Sequence, residues 1–178
     1  MLKALEYQLR ALAENDNGKY REIVERRLGR KPTEEQLKAI KEFIFLLPPI
    51  LRQLSIYRVG HSVPASAKRL SGLILTYVFH PHDLLPEAIY GFFGYLDDAY
   101  LVVASFLKLE NLTLRNWHDM TPQERDLFKR ANELITVPRL LIPDAVKKID
   151  SAIDKWLEGD SFEFGEFFQA FNKNRNIE

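Results

Sequence analysis

Apolar residues recur every three or four positions along most of this chain, which is the spacing of one face of an α-helix. The first 30 residues predict two amphipathic helices, one that ends near residue 15 and one that ends at Gly29. A third helix is predicted to begin after Thr33, because Thr33 and Gln36 have the spacing of a capping box. We expect Pro48-Pro49 to break or kink this helix.

The rest of the chain continues the helical pattern. Further helical segments are predicted over residues 50–59, 65–79, 99–107, 121–135 and 141–159, with a loop over 108–120. Thr121 and Glu124 form a second capping box, with Pro122 at the first helical position. No stretch alternates apolar and polar residues as a half-buried strand does. The pattern therefore predicts an all-α fold of seven or eight helices.

A last helix is expected after Asp160. It carries an apolar stripe at positions i, i+3, i+4 and i+7, formed by Phe164, Phe167, Phe168 and Phe171. This stripe either packs on the core or presents a helix-in-groove surface to a partner. Removing residues 160–178 distinguishes the two, because loss of a core helix unfolds the protein whereas loss of a partner surface leaves it folded.

Charged residues are rare in the middle of the chain and common in both flanks. Between residues 43 and 107 the basic residues are Arg52, Arg58, Lys68 and Arg69. We therefore expect residues 43–107 to form an apolar core around a central helical pair, with amphipathic helices from residues 1–42 and 108–178 packed around it. A chain of 178 residues fits a single compact domain.

The overall composition narrows the class of protein. The hydrophobic fraction of 46% and the charged fraction of 28% are typical of a soluble globular protein. A net charge of zero argues against a nucleic-acid partner, and the absence of cysteine excludes disulfides and thiolate metal sites. The N-terminal segment has charges among its apolar residues, unlike a signal peptide, and every apolar run is shorter than the roughly 18 residues of a membrane span. We expect a cytoplasmic protein without a transmembrane segment.

The acidic residues of the central region all lie between residues 77 and 98. They are Asp83, Glu87, Asp97 and Asp98. In one straight helix Glu87 and Asp98 would be about 16 Å apart along the axis, which is too far to share a ligand. Gly91 and Gly94 favour a break, with a short helix from Pro86 and a second one that opens near Tyr95. Such a turn would place Asp97 and Asp98 in a first helical turn and could gather Asp83, Glu87 and one of the pair.

Two interpretations of these carboxylates remain open. In the first they are structural: Asp83 is an N-cap, and Asp97 and Asp98 cap the next helix or pair with Lys68 and Arg69. In the second, Asp83, Glu87, Asp97 and Asp98 are candidate ligands of Mg²⁺, Mn²⁺ or Ca²⁺, which carboxylates bind well. His80 and His82 could instead recruit Zn²⁺ or iron.

The same stretch carries a recognisable motif. Its residues are Tyr77, Pro81, Asp83-Leu84-Leu85-Pro86-Glu87, Gly94 and Asp97-Asp98. This pattern resembles the YkvA-type DUF1232 domain, whose hallmark is P-x-D-L-I-P-D followed by a glycine and a paired aspartate. Leu85 and Glu87 stand where that family usually has isoleucine and aspartate. The resemblance covers residues 60–107 and implies a small helical domain, but no particular activity, because none is established for the family.

The leading functional hypothesis is a non-enzymatic interaction module that binds a protein partner or forms a homo-oligomer. No nucleophilic triad is visible, so no catalytic residue is assigned. The first alternative is a metal-dependent hydrolytic enzyme that uses the carboxylates. The second is a protein that associates with a membrane surface through two apolar segments, GFFGYL and FIFLLPPIL, acting as wedges.

Overall fold

The computed structural model describes residues 2–16, 18–59, 63–78, 84–113 and 120–158. Within these ranges 86% of the residues are helical and none lies in a strand, so the predicted all-α fold is confirmed. The elements in chain order are α1 (Leu2–Glu14), α2 (Lys19–Leu28), α3 (Glu34–Ile44), α4 (Leu47–Val59), α5 (Ala65–Val78), α6 (Glu87–Tyr90), a 3-10 helix (Gly91–Tyr95), α7 (Leu96–Thr113), α8 (Pro122–Leu134), α9 (Val137–Leu141) and α10 (Pro143–Glu158).

The predicted helix boundaries agree with the structure wherever a specific local signal marks them. Thr33 caps α3 in a complete capping box with Gln36, and Thr121 caps α8 in the same way with Glu124. Gly29 ends α2 in the left-handed conformation, with φ of 66°, which favours glycine. Helix capping depends on a few neighbouring residues, so the sequence alone is sufficient to predict these helix ends.

Two boundaries differ from the prediction. The predicted break is present, but it lies before the prolines: α3 ends at Ile44, four residues before Pro48, and α4 begins at Leu47, so Pro48 and Pro49 lie in the first turn of α4. Proline is tolerated there because the first backbone N–H groups of a helix have no intrahelical acceptor. The predicted loop at 108–120 is also wrong for its first part, because α7 continues to residue 113. The predicted helix after Asp160 and its phenylalanine stripe lie outside the described residues.

Helix α7 is the centre of the fold. It is buried on all sides over two turns, as expected for a helix in the middle of a core, and its fully buried residues include Leu96, Ala99, Tyr100, Leu101, Val102, Val103 and Phe106. It packs against α4, α5 and α10. The predicted central pair corresponds to α5 and α7, and the amphipathic helices from both flanks contribute side chains to one contiguous apolar cluster.

Buried hydroxyl groups tie α7 to its neighbours. The Tyr57 hydroxyl of α4 donates a hydrogen bond to Glu110 near the end of α7. This bond holds the part of α7 that continues beyond the predicted helix end at residue 107. The Tyr100 hydroxyl donates to the Asp150 Oδ1 of α10 at 2.9 Å. Burial raises the pKa of Tyr100 to about 12, so this hydroxyl keeps its proton and remains a donor at neutral pH.

The two segments proposed as membrane wedges belong to this core. Phe92, Phe93 and Leu96 of GFFGYL are buried, as are Phe43, Ile44 and the other residues of FIFLLPPIL except the half-buried Phe45 and Pro49. They cannot serve as the surface wedges on which the membrane hypothesis depended. Among the described helices, none combines the length and the apolar character needed to cross a bilayer.

Candidate functional site

The central motif folds as a reversal between two helices. We call residues 84–98 the acidic turn. Helix α6 is followed directly by the 3-10 helix and then by α7, so the predicted break at Gly91 and Gly94 is confirmed. Gly91 has φ of 59° and ψ of −132°, a backbone conformation that only glycine adopts readily. Asp97 and Asp98 lie in the first turn of α7, as predicted.

Gly94 is required because two backbone segments touch at this point. A Cβ atom at position 94 would lie 2.8 Å from the Glu87 Cα and 2.9 Å from the Leu85 carbonyl oxygen. Both neighbours are backbone atoms, which cannot rotate away as a side chain can. The motif glycine therefore lets the 3-10 helix pack directly on the start of α6.

Asp97, in the first turn of α7, also stabilises the packing of the acidic turn. Its carboxylate is fully buried, and Oδ2 accepts a hydrogen bond of 3.1 Å from the backbone N–H of Leu85. A buried N–H without an acceptor is costly, so this bond fixes the chain at the entry to α6. Asp98 is also buried, and both carboxylates lie at the helix end where the backbone dipole favours negative charge.

The remaining candidate ligands are only partly placed. Glu87 is half-buried at the first residue of α6, next to the Gly94 contact. Asp83, His80 and His82 lie outside the described residues. Arg69, which we expected near the paired carboxylates, donates to the Trp156 carbonyl oxygen of α10 at 3.4 Å. Across the described part of the chain, no group of three or more histidines and carboxylates is arranged to hold a metal ion.

The cation hypothesis can be tested by thermal unfolding after EDTA treatment. We expect no change in the midpoint when Mg²⁺, Mn²⁺, Ca²⁺ or Zn²⁺ is added back, because Asp97 already serves the Leu85 amide. A cation at a hundredfold its dissociation constant would add about 2.7 kcal/mol, an easily measured shift. Such a shift, if Asp83→Asn abolished it, would contradict the structural interpretation and make the carboxylates a metal site.

A second feature is a pair of adjoining grooves on the surface, which we call the Phe45 groove because Phe45 lines both. They lie between the α1–α2 corner and the α3–α4 corner. The first, of about 550 Å³, is lined by Glu6, Arg10, Ala13, Glu14, Phe45, Pro48, Pro49 and Arg52. The second, of about 460 Å³, is lined by Asp16, Gly18, Tyr20, Arg21, Glu34, Leu37, Lys38, Lys41, Glu42 and Phe45.

The acidic turn supports the floor of this groove. The Phe92 ring of the 3-10 helix lies 5.5 Å from the Phe45 ring and 5.7 Å from the Tyr20 ring, measured between centroids. The Lys41 ammonium lies over the outer part of the same cluster, 5.3 Å from the Tyr20 centroid. The Tyr20 hydroxyl donates to the Leu37 carbonyl oxygen at 2.9 Å, and burial, with the nearby Asp16 charge, holds the pKa of Tyr20 well above its usual value.

Sequence reasoning did not find the Phe45 groove. Its two aromatic residues come from α2 and from the end of α3, the Phe92 ring that supports them comes from the acidic turn, and no spacing rule relates the three. The one visible signal was the run FIFLLPPIL, of which Phe45, Pro48 and Pro49 line the groove while the other members fill the core.

Comparison with known proteins confirms the family resemblance. Residues 67–104 match the family model described as a protein of unknown function, DUF1232. The match spans most of α5, the acidic turn and the first half of α7. No curated protein and no solved structure matches the chain.

Proposed function

We propose that this chain, which contains a DUF1232 domain at residues 67–104, is a helical module that binds another protein through the Phe45 groove. One observation carries the proposal: Phe92, within the DUF1232 match, packs against the two aromatic residues of the groove. The family segment thus supports a surface built largely by the N-terminal flank. In this proposal the acidic turn has a structural role and the groove makes the contact with the partner.

The contacts of the acidic turn support the structural half of the proposal. The Asp97 carboxylate points at a backbone amide of its own chain, and Gly94 is needed for close packing against α6. Both features explain motif residues by what they do for the fold. Burying a charge is costly unless it is hydrogen-bonded or paired, and here the carboxylate accepts a hydrogen bond from a buried backbone donor.

The character of the groove supports the binding half. Its floor is apolar, with Phe45 and Pro49 half-buried, and its rims carry charges of both signs. An apolar centre with a polar rim is the common anatomy of a protein interface. The groove is open and follows two helical walls, so a helical or extended segment of a partner fits it better than a compact small molecule does.

Site-directed photocrosslinking tests this proposal. A photoreactive amino acid replaces Pro49 in the groove and, as a matched control, Lys147 on the exposed face of α10. We expect a discrete adduct with another protein chain from position 49, none from position 147, and loss of the adduct when Ala13→Gln places a longer side chain in the groove. Equal labelling from both positions, or no adduct from position 49 in the cells that express the protein, would overturn the proposal. An adduct between two copies of this chain would identify a homo-oligomer.

A further inference from the structure

Ten charged side chains line the Phe45 groove, five of each sign. Three ion pairs engage six of them, and these are Arg10–Glu6 at 3.0 Å, Arg21–Glu34 at 2.6 Å and Lys38–Glu42 at 3.8 Å. The other four form no ion pair with any residue in the described ranges. They therefore decide which charges the groove offers to a partner.

These four charges are separated by sign between the two walls of the groove. The cations Lys41 and Arg52 lie on the wall formed by α3 and α4. The carboxylates Glu14 and Asp16 lie on the opposite wall, at the α1–α2 corner. Asp16 Oδ1 accepts a hydrogen bond of 2.8 Å from the Tyr20 backbone N–H, which leaves its negative charge in place. The groove is thus neutral as a whole, with one basic wall and one acidic wall.

One face of α4, which we call the α4 ridge, continues the basic wall beyond the groove. Its residues recur at i, i+3, i+7 and i+10, and they are Pro49, Arg52, Ile56 and Val59. Pro49 and Arg52 line the groove, whereas Ile56 and Val59 are 55% and 64% exposed to solvent. Neighbouring exposed apolar side chains beside a groove favour an interaction surface. The same side of the molecule therefore presents both an apolar groove and a largely apolar helical ridge.

We infer that the partner in the Phe45 groove is a second copy of this chain, related to the first by a two-fold axis parallel to the groove. Such an axis places the α4 ridge of each copy in the groove of the other and sets the basic wall of each beside the acidic wall of the other. A partner with charges of one sign would be attracted by one wall and repelled by the other. The formal net charge of zero leaves no overall repulsion between two copies. This inference rests on the proposed function and identifies the partner of that same site.

Sedimentation velocity of the purified full chain over a series of concentrations tests this inference with two charge reversals. We expect a concentration-dependent dimer, which Arg52→Glu and Glu14→Arg each weaken about tenfold or more, because either change sets like charges together at both symmetry-related contacts. An equimolar mixture of the two variants should restore the dimer, since each contact then joins one arginine and one glutamate. Lys147→Glu, on the exposed face of α10, is the matched control and should leave the dissociation constant unchanged.

The inference is overturned by a chain that is monomeric at every concentration, by a dimer that both reversals leave intact, or by a mixture of the folded variants that stays monomeric. Glu14 and Arg52 are exposed, and circular dichroism checks that each variant is folded. A photoreactive amino acid in place of Ile56 gives a second measurement without any charge reversal: it should join two copies, and the absence of such an adduct contradicts the inference. A monomeric chain that still forms an adduct with a different protein from position 49 would retain the proposed function, so the two failures are distinguishable.

Discussion

Replacing Asp97 with alanine is expected to lower the free energy of unfolding by about 2–4 kcal/mol, because the buried Leu85 N–H loses its charged acceptor and the vacated space is not refilled. For a chain of this length, that corresponds to a fall of roughly 4–16 °C in the thermal midpoint. Urea denaturation followed by circular dichroism measures the change. Asp97→Asn should cost less than alanine, since the amide oxygen can still accept from Leu85.

The matched control is Asp126→Ala in the exposed middle of α8. Asp126 is exposed, and alanine has a higher helix propensity than aspartate. We therefore expect the free energy of unfolding to change by no more than about 0.5 kcal/mol. If Asp97→Ala were as stable as this control, the carboxylate would not be structural. If Asp97→Ala were more stable than the original protein, the buried charge would be held for a function at the expense of stability.

Gly94→Ala is the second substitution that we expect to lower the free energy of unfolding strongly. The new Cβ would lie 2.8 Å from the Glu87 Cα and 3.0 Å from the Glu87 backbone nitrogen, so α6 and the 3-10 helix must separate. We expect this overpacking to lower the free energy of unfolding by about 1–3 kcal/mol or more. Because Phe92 lies in the same 3-10 helix, its contacts with Tyr20 and Phe45 should loosen, and nuclear magnetic resonance shifts of those rings would report it.

Gly72→Ala is the control for this substitution. Gly72 lies within α5, and a Cβ at that position meets no atom within 4 Å. Alanine there should be neutral or stabilising by up to about 1 kcal/mol, because it reduces the conformational freedom of the unfolded chain. Equal effects of the two substitutions would contradict the close packing inferred at Gly94.

The parts of the fold that sequence could predict depend on neighbouring residues. The capping boxes at Thr33 and Thr121, the glycine end of α2, and the break at Gly91 and Gly94 are each fixed by a few consecutive side chains. The position of Asp97 and Asp98 in a first turn followed from that break. The motif itself was sufficient to indicate the resemblance to DUF1232, and the family model matches residues 67–104.

The parts that sequence missed depend on contacts between distant residues. Helix α7 continues past residue 107 where Leu109 is buried and Glu110 meets Tyr57, 53 positions away in the chain. The acceptor of the Leu85 amide is equally invisible to a periodicity argument, because any nearby carboxylate, carbonyl or cap could have filled that role. The Phe45 groove requires three separate elements to meet, and only the packed fold brings them together.

The central claim is that the Asp97 carboxylate holds the acidic turn closed through the Leu85 amide. Native-state hydrogen exchange at that single amide tests it most directly. We predict that the Leu85 N–H exchanges as slowly as the buried amides of α7, and that Asp97→Ala abolishes its protection while the amides of α5 retain theirs. A Leu85 amide that exchanges at the rate of an unstructured peptide in the original protein, or that keeps its protection in Asp97→Ala, would contradict the account.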